Sequence, residues 1–294
     1  MEVNNPMAPA EEPRVALDAV VKLSRDLRNA AKSLGVKEAR YLVDSYYVLQ
    51  DYRIAAANQQ RALTGDEEPG EVIRWLNVQM ETLETQLRAA LDKWSSAQPM
   101  GEWTRNVCGI GPVIAAGLLA NIDITKAPTA GHIWRFAGLD PSSKWEKGQK
   151  RPWNASLKRL CWLIGESFVK VSGNPKDRYG KLYLHRKAYE MQKNEALDYA
   201  PLAAVYLERM KKKSLRVKKE SIPEDLAEAT PKDLVAKLES GKLPQAALHE
   251  RSKRWAVKLF LAHWQAEAYR LHYGREAPKP YAISILGHAH EIEP

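Results

Sequence analysis

Cysteine is almost absent: Cys108 and Cys161 are the only two in 294 residues. Two thiols cannot build a disulfide scaffold or a metal site made of thiolates alone. No His or Asp stands at triad-like spacing beside either one, so neither reads as a nucleophile. No apolar run approaches the roughly 18 to 20 residues needed to cross a bilayer. The opening MEVNNPMAPAEEP has neither the basic nor the apolar region of a secretory signal. Strand-like alternation is missing too, which removes a dinucleotide-binding fold. Apolar content of 45% and charged content of 28% exclude wholesale disorder. The remainder is a soluble, cytoplasmic, all-α protein with no membrane segment, no resident metal and no cofactor.

Charge is unevenly placed. The total is +9. Residues 1–99 carry 12 basic and 15 acidic groups, and residues 220–294 carry 10 and 11. The segment between them carries 23 and 10. One stretch therefore holds the positive excess, and a localised positive field attracts polyanions, of which nucleic acid is the commonest.

Periodicity predicts helices over residues 14–34, 37–63, 71–94, 112–120, 129–137, 154–171 and 245–273, with one or two more in 177–210 around Pro201. The second and third are joined by Thr64-Gly65-Asp66-Glu67-Glu68-Pro69-Gly70 and form a long-helix hairpin, either a coiled-coil assembly arm or part of an ordinary bundle. On the last helix the candidate inner side is Trp255, Leu259, Ala262 and Ala266. On helix 154–171 the inner face is Leu157, Cys161, Ile164 and Phe168, which makes Cys161 a buried structural thiol. The expected divisions are a tail (1–13), a helical unit (14–98), a basic unit (99–219), an acidic insertion (220–247) and a C-terminal helix with its tail (248–294).

Two motifs carry chemistry. Gly109-Ile110-Gly111-Pro112 opens an Ala-rich apolar helix. Glycines permit a tight turn, Pro suits a first helical turn, and the free amides from Gly109 to Val113 can hold a phosphate. Downstream, Lys144, Lys147, Lys150 and Arg151 alternate with Trp145 and Trp153, followed by Lys158 and Arg159. Such a loop can clamp phosphates and stack on unpaired bases, or its tryptophans can pin it to the core. The run Lys211–Lys219 is a phosphate contact or an exposed linker. His288, His290 and Glu291 form no tetrahedral set and read as solvent-exposed.

The turn at residues 109–112 resembles helix-hairpin-helix proteins, whose hairpins grip DNA backbone without reading bases. With Phe136-Ala137-Gly138-Leu139-Asp140-Pro141 and the Leu157–Cys161 helix, residues 101–265 resemble the C-terminal domain of the bridge-RNA-guided insertion-sequence transposases. That resemblance implies DNA recombination and transposition, a serine nucleophile after the Gly-Leu-x-Pro turn, and Mg²⁺ in an active enzyme. Only Ser142 and Ser143 stand near the serine's place, and Glu146-Lys147 replaces the expected Ser-Gly. The family's nuclease-like α/β domain with its metal-binding carboxylates has no counterpart in residues 1–99. Asp44 and Asp51 share a helical face there without completing a metal clamp.

The reading is a DNA-binding protein that holds duplex phosphates through the amides of Gly109, Ile110, Gly111 and Val113 and through Lys144, Lys147, Lys150, Arg151, Lys158 and Arg159. The N-terminal helices would make a homo-oligomer. Rival readings are a serine-dependent recombinase and a scaffold that binds structured RNA or acidic protein.

Overall fold

The computed structural model describes residues 22–62, 71–211 and 231–278. Every regular element among them is helical, as the absence of strand patterning requires. The tail 1–13, most of the basic run 211–219, residues 220–230 of the acidic insertion and the histidine-bearing end fall outside the described residues.

Helix α1 (Arg25–Ala30) continues into a short 3₁₀ turn, and Ser24 caps it by accepting from the Leu27 amide. The long hairpin follows as α2 (Val36–Ala62) and α3 (Glu71–Ser96). Its antiparallel register is fixed at two levels. At the base, the Trp94 indole donates to the Leu34 carbonyl at 2.8 Å. Farther out, buried Glu84 accepts from Tyr46 Oη at 3.0 Å, from Gln50 at 3.2 Å and from Arg53 Nε at 2.5 Å. Only the base joins the core, through Ala39, Val43, Tyr46, Tyr47, Leu91 and Trp94. Beyond it Tyr52, Ile54, Val72, Leu76 and Val78 are exposed.

Helix α4 (Gly101–Asn106) and helix α5 (Pro112–Asn121) come next. An α-helix that is apolar on every side belongs inside, and Ala115, Ala116, Leu118 and Ala120 of α5 are all buried. After α6 (Ala130–Phe136) a long loop leads to α7 (Ala155–Val171), which lies against α5. A Cβ at Gly117 would sit 2.8 Å from Leu160 Cδ2, so the close approach of α5 and α7 needs the glycine. The inner face of α7 carries Leu157, Cys161, Ile164 and Phe168, as the periodicity predicts, and Leu160 is buried beside them. Burial pushes the Cys161 thiol up to about 12, which fits an inert packing role.

The stretch 177–210 resolves into α8 (Tyr179–Glu195) and α9 (Ala200–Lys211). The break falls at Leu197, whose φ is +65°, and Pro201 occupies the first turn of α9. Helix α10 (Pro231–Glu239) packs on α9. Helix α11 (Gln245–Tyr273) closes the fold and ends at left-handed Gly274. Its inner side differs from the expected one. Ala256, Val257, Phe260, Leu261, Trp264 and Ala268 are buried, whereas Trp255, Leu259, Ala262 and Ala266 are only half-buried. The helix is covered by α6, α7 and α8 on different sides, so no single stripe marks its buried surface. No helix among the described residues is long and apolar enough to cross a membrane.

Candidate nucleic-acid interface

Helix α4, the turn 107–111 and α5 make a helix-hairpin-helix arrangement. Ile110 anchors the turn in the core, and its amide donates to the Val107 carbonyl at 3.0 Å. Gly109 has φ +89°, and its carbonyl accepts from Ser167 Oγ of α7 at 2.6 Å. A Cβ there would lie 3.1 Å from that hydroxyl and 3.2 Å from Val171, so both conformation and space select glycine. Gly111 is the N-cap of α5, and a Cβ built on it meets nothing within 4 Å. The side chains of Ile110 and Val113 are buried, and the Ile110 amide expected to hold a phosphate is spent within the turn on Val107, so of the two only the Val113 backbone is left for a contact. First-turn amides of α5 have no partner within the helix, and the space beside Gly111 is open to a ligand.

The second motif spans residues 138–154. Gly138, at φ +66°, lies so close to Trp153 that a Cβ would approach its ring to 2.8 Å. The Asn154 amide donates back to the Phe136 carbonyl at 2.9 Å, and the Asn154 side chain caps α7 through the Leu157 amide. Trp153 thus pins the loop, and Trp145 remains half-exposed with its indole N–H donating to the Gln149 carbonyl. The cations stack on these rings: Arg151 lies over Trp145 at 4.9 Å and Lys158 over Trp153 at 4.2 Å. Lys144, Lys147 and Lys150 line the same loop, and all three are exposed.

Folding adds cations that sequence reasoning left unassigned. Lys258 of α11 sits 4.3 Å over Trp134, whose indole donates to the Lys258 carbonyl at 2.9 Å. Burial lowers the Lys158 pKa, and the charges of Arg151 and Arg254 lower it further. Burial also lowers that of Lys258, with Asp140 opposing and Arg254 reinforcing the shift. Lys158, Arg151, Arg254 and Lys258 therefore form one basic surface from the loop, α7 and α11. The available signal was the four-residue spacing of Arg254 and Lys258 on one helical face.

Arg159 is differently placed. It pairs with Asp51 of α2 at 2.8 Å and lies over the Tyr47 ring at 5.3 Å. Ser142 closes a turn: its amide and its hydroxyl both donate to Asp140 Oδ1, at 2.9 and 2.8 Å. Those two bonds, the backbone one foremost, hold the Asp140 carboxyl below its ordinary value and make it a weak base. The Ser143 amide donates to the Asp140 carbonyl at 3.2 Å.

Among the described residues, the ligand atoms of Glu166, His249 and Glu250 converge within 4.8 Å of one another. The Lys253 ammonium ion-pairs with both carboxylates, and His249 Nδ1 shares a 2.7 Å hydrogen bond with Tyr183 Oη. A buried lysine already supplies the positive charge that a metal would bring there.

The hairpin and the basic surface do not coincide. Gly109 touches Ser167 and Val171 near one end of α7, and Lys158 stands in the first turns at the other. At about 1.5 Å rise per residue, the two lie roughly 14 to 20 Å apart along the helix.

The model of the Transposase IS116/IS110/IS902 family matches residues 104–171. The matched segment runs from within α4 to the end of α7, so it contains both the hairpin and the tryptophan-bearing basic loop. No curated protein and no solved structure matches the chain.

Proposed function

We propose that the protein binds duplex DNA through its phosphate backbone, largely without regard to sequence. The observation that carries this reading is the gathering of Lys158, Arg151, Arg254 and Lys258 on one surface, with lysine pKa values depressed by burial and by neighbouring cations. Among the described residues none of these four is in an ion pair with a carboxylate. Positive charge gathered in this way, offset only in part by Asp140 near Lys258, is relieved by a polyanion. The lysines of the loop extend the surface, and the amides at the start of α5 add a second phosphate contact at the far end of α7. The match over residues 104–171 supports relating this central basic unit to transposases. In this reading the relation extends toward residue 265, structured RNA is a second ligand of the same surface, and the exposed distal half of the α2–α3 hairpin joins copies of the chain. The protein works in the cytoplasm as a DNA grip.

Titration of a labelled duplex of about 30 base pairs across a salt series tests this. Four or five phosphate contacts give a log–log salt slope of about −4. Lys158→Ala is expected to reduce that slope by about 1, equally on unrelated sequences. Gly111→Asp is the sharper variant, because the site is open and Asp is a favoured N-cap, so the fold is retained. It should weaken binding about tenfold by placing a carboxylate among the proposed phosphate-binding amides. Absence of binding at low salt, or a flat salt response, overturns the reading.

A further inference from the structure

A cavity of about 210 Å³ lies between α2, the end of α5 and the first turns of α7. We infer that it takes a single unpaired nucleobase, preferring one that carries an exocyclic amino group. This inference rests on the DNA-binding reading and names what the same region would hold beyond phosphate.

The volume is below the roughly 300 to 1,000 Å³ of pockets that enclose drug-sized ligands, and it suits one heteroaromatic ring system. Its apolar floor is Val43 and Leu160, and polar groups surround the rest. Tyr47 is only 8% exposed, yet its hydroxyl makes no hydrogen bond among the described residues. The hydroxyl itself opens onto the cavity, which leaves it free to meet a ligand there. Burial pushes the phenol pKa up, keeping that hydroxyl protonated as a donor. Its ring is held between Tyr46, edge-on at 5.4 Å, and the Arg159 guanidinium. Asn121 is also buried and rigidly set. It donates to the Gly117 carbonyl at 2.9 Å and accepts from Asn154 at 3.1 Å, which leaves one amide N–H and one lone pair unspent. Ser156 adds a hydroxyl at the start of α7.

Asp44 decides the ligand class. A carboxylate in the lining repels a phosphate, and the nearby Arg159 is already neutralised by Asp51. The same carboxylate accepts well from the amino groups of cytosine, adenine or guanine, and thymine offers it none. Lys158 stands on the same first turns of α7 but about 100° or more around the helix from Ser156 and Arg159, so a strand whose phosphate meets the basic surface reaches the cavity by passing around α7. A paired base is not available to it, and an unstacked, bulged or single-stranded one is.

The test compares a fully paired duplex with duplexes bearing a one-nucleotide bulge of guanine, adenine, cytosine or thymine, as DNA and as RNA. The intact chain is expected to bind amino-bearing bulges at least fivefold more tightly than the paired duplex or the thymine bulge. The arm that shows the effect identifies DNA or RNA as the source. Ser156→Leu, which fills the cavity, should erase the preference and leave paired-duplex affinity unchanged. Asp44→Asn, on the exposed rim and harmless to folding, should erase the discrimination against thymine. Equal binding of all bulges and the paired duplex overturns the base site and leaves the phosphate grip standing. A preference that survives in a folded Ser156→Leu protein also overturns it. Failure to bind any form at low salt removes the DNA-binding reading itself.

Discussion

Glu190 shows how much a single buried residue can organise. It is 1% exposed and accepts from Arg186 of α8, from Tyr199 just before α9 and from Arg251 of α11. Burial alone would raise its pKa, but the hydrogen bonds from Tyr199, Arg251 and Arg186 outweigh this and hold it below the ordinary 4.5. A carboxyl whose folded pKa is depressed contributes stability above its unfolded pKa and loses that contribution as pH falls through the folded value. Thermal melts between pH 7 and pH 3 should therefore show a loss of stability below about pH 4.5 that is shallower in Glu190→Gln. Equal pH dependence in the two proteins would show that Glu190 is not responsible. At this scale the sequence is partly legible. Cys161 reads correctly as a packing residue from its place on an apolar stripe. Arg159 reads as a free cation and is instead paired with Asp51, because a contact 108 residues away leaves no local signature.

Helices with their own start and stop chemistry are the most legible elements. Pro112 at the beginning of α5, Asn154 before α7 and Gly274 after α11 each mark a boundary that the structure places within a residue or two. The buried face of α11 is not legible in this way. Its contacts come from α6, α7 and α8, so burial wraps around the helix and the apolar pattern smears. Gly117 is a further case, since its role is set by Leu160 across the α5–α7 contact. Gly117→Val should overpack that contact and destabilise the protein by about 1 to 3 kcal/mol. The urea midpoint of the variant should fall with an unchanged m-value. An unchanged midpoint would mean that the two helices separate freely.

Taken as a whole, the molecule divides its surface between a basic side and an apolar arm. Beyond its base, the hairpin exposes Val72 at 76% and Val78 at 57%, with Tyr52 and Ile54 on the other helix of the arm. Periodicity marks α3 as amphipathic but cannot say which end of the hairpin meets the core, since that depends on α5. In the proposed assembly, Val72→Glu with Val78→Glu should shift sedimentation from oligomer to monomer and leave the helical content intact. A monomeric parent protein would dismiss the arm as a joining surface. A different consequence follows from the Ser167–Gly109 hydrogen bond and the Asn154 cap, which tie the two phosphate-binding candidates to opposite ends of one helix. In the proposed binding mode helix α7 works as a gauge. At about 100° per residue, Ser167 and Val171 lie roughly 180 to 220° around it from Lys158, so the two contacts face different sides of α7 as well as different ends. A straight duplex would be held by one of them alone, and DNA bent around α7 by both.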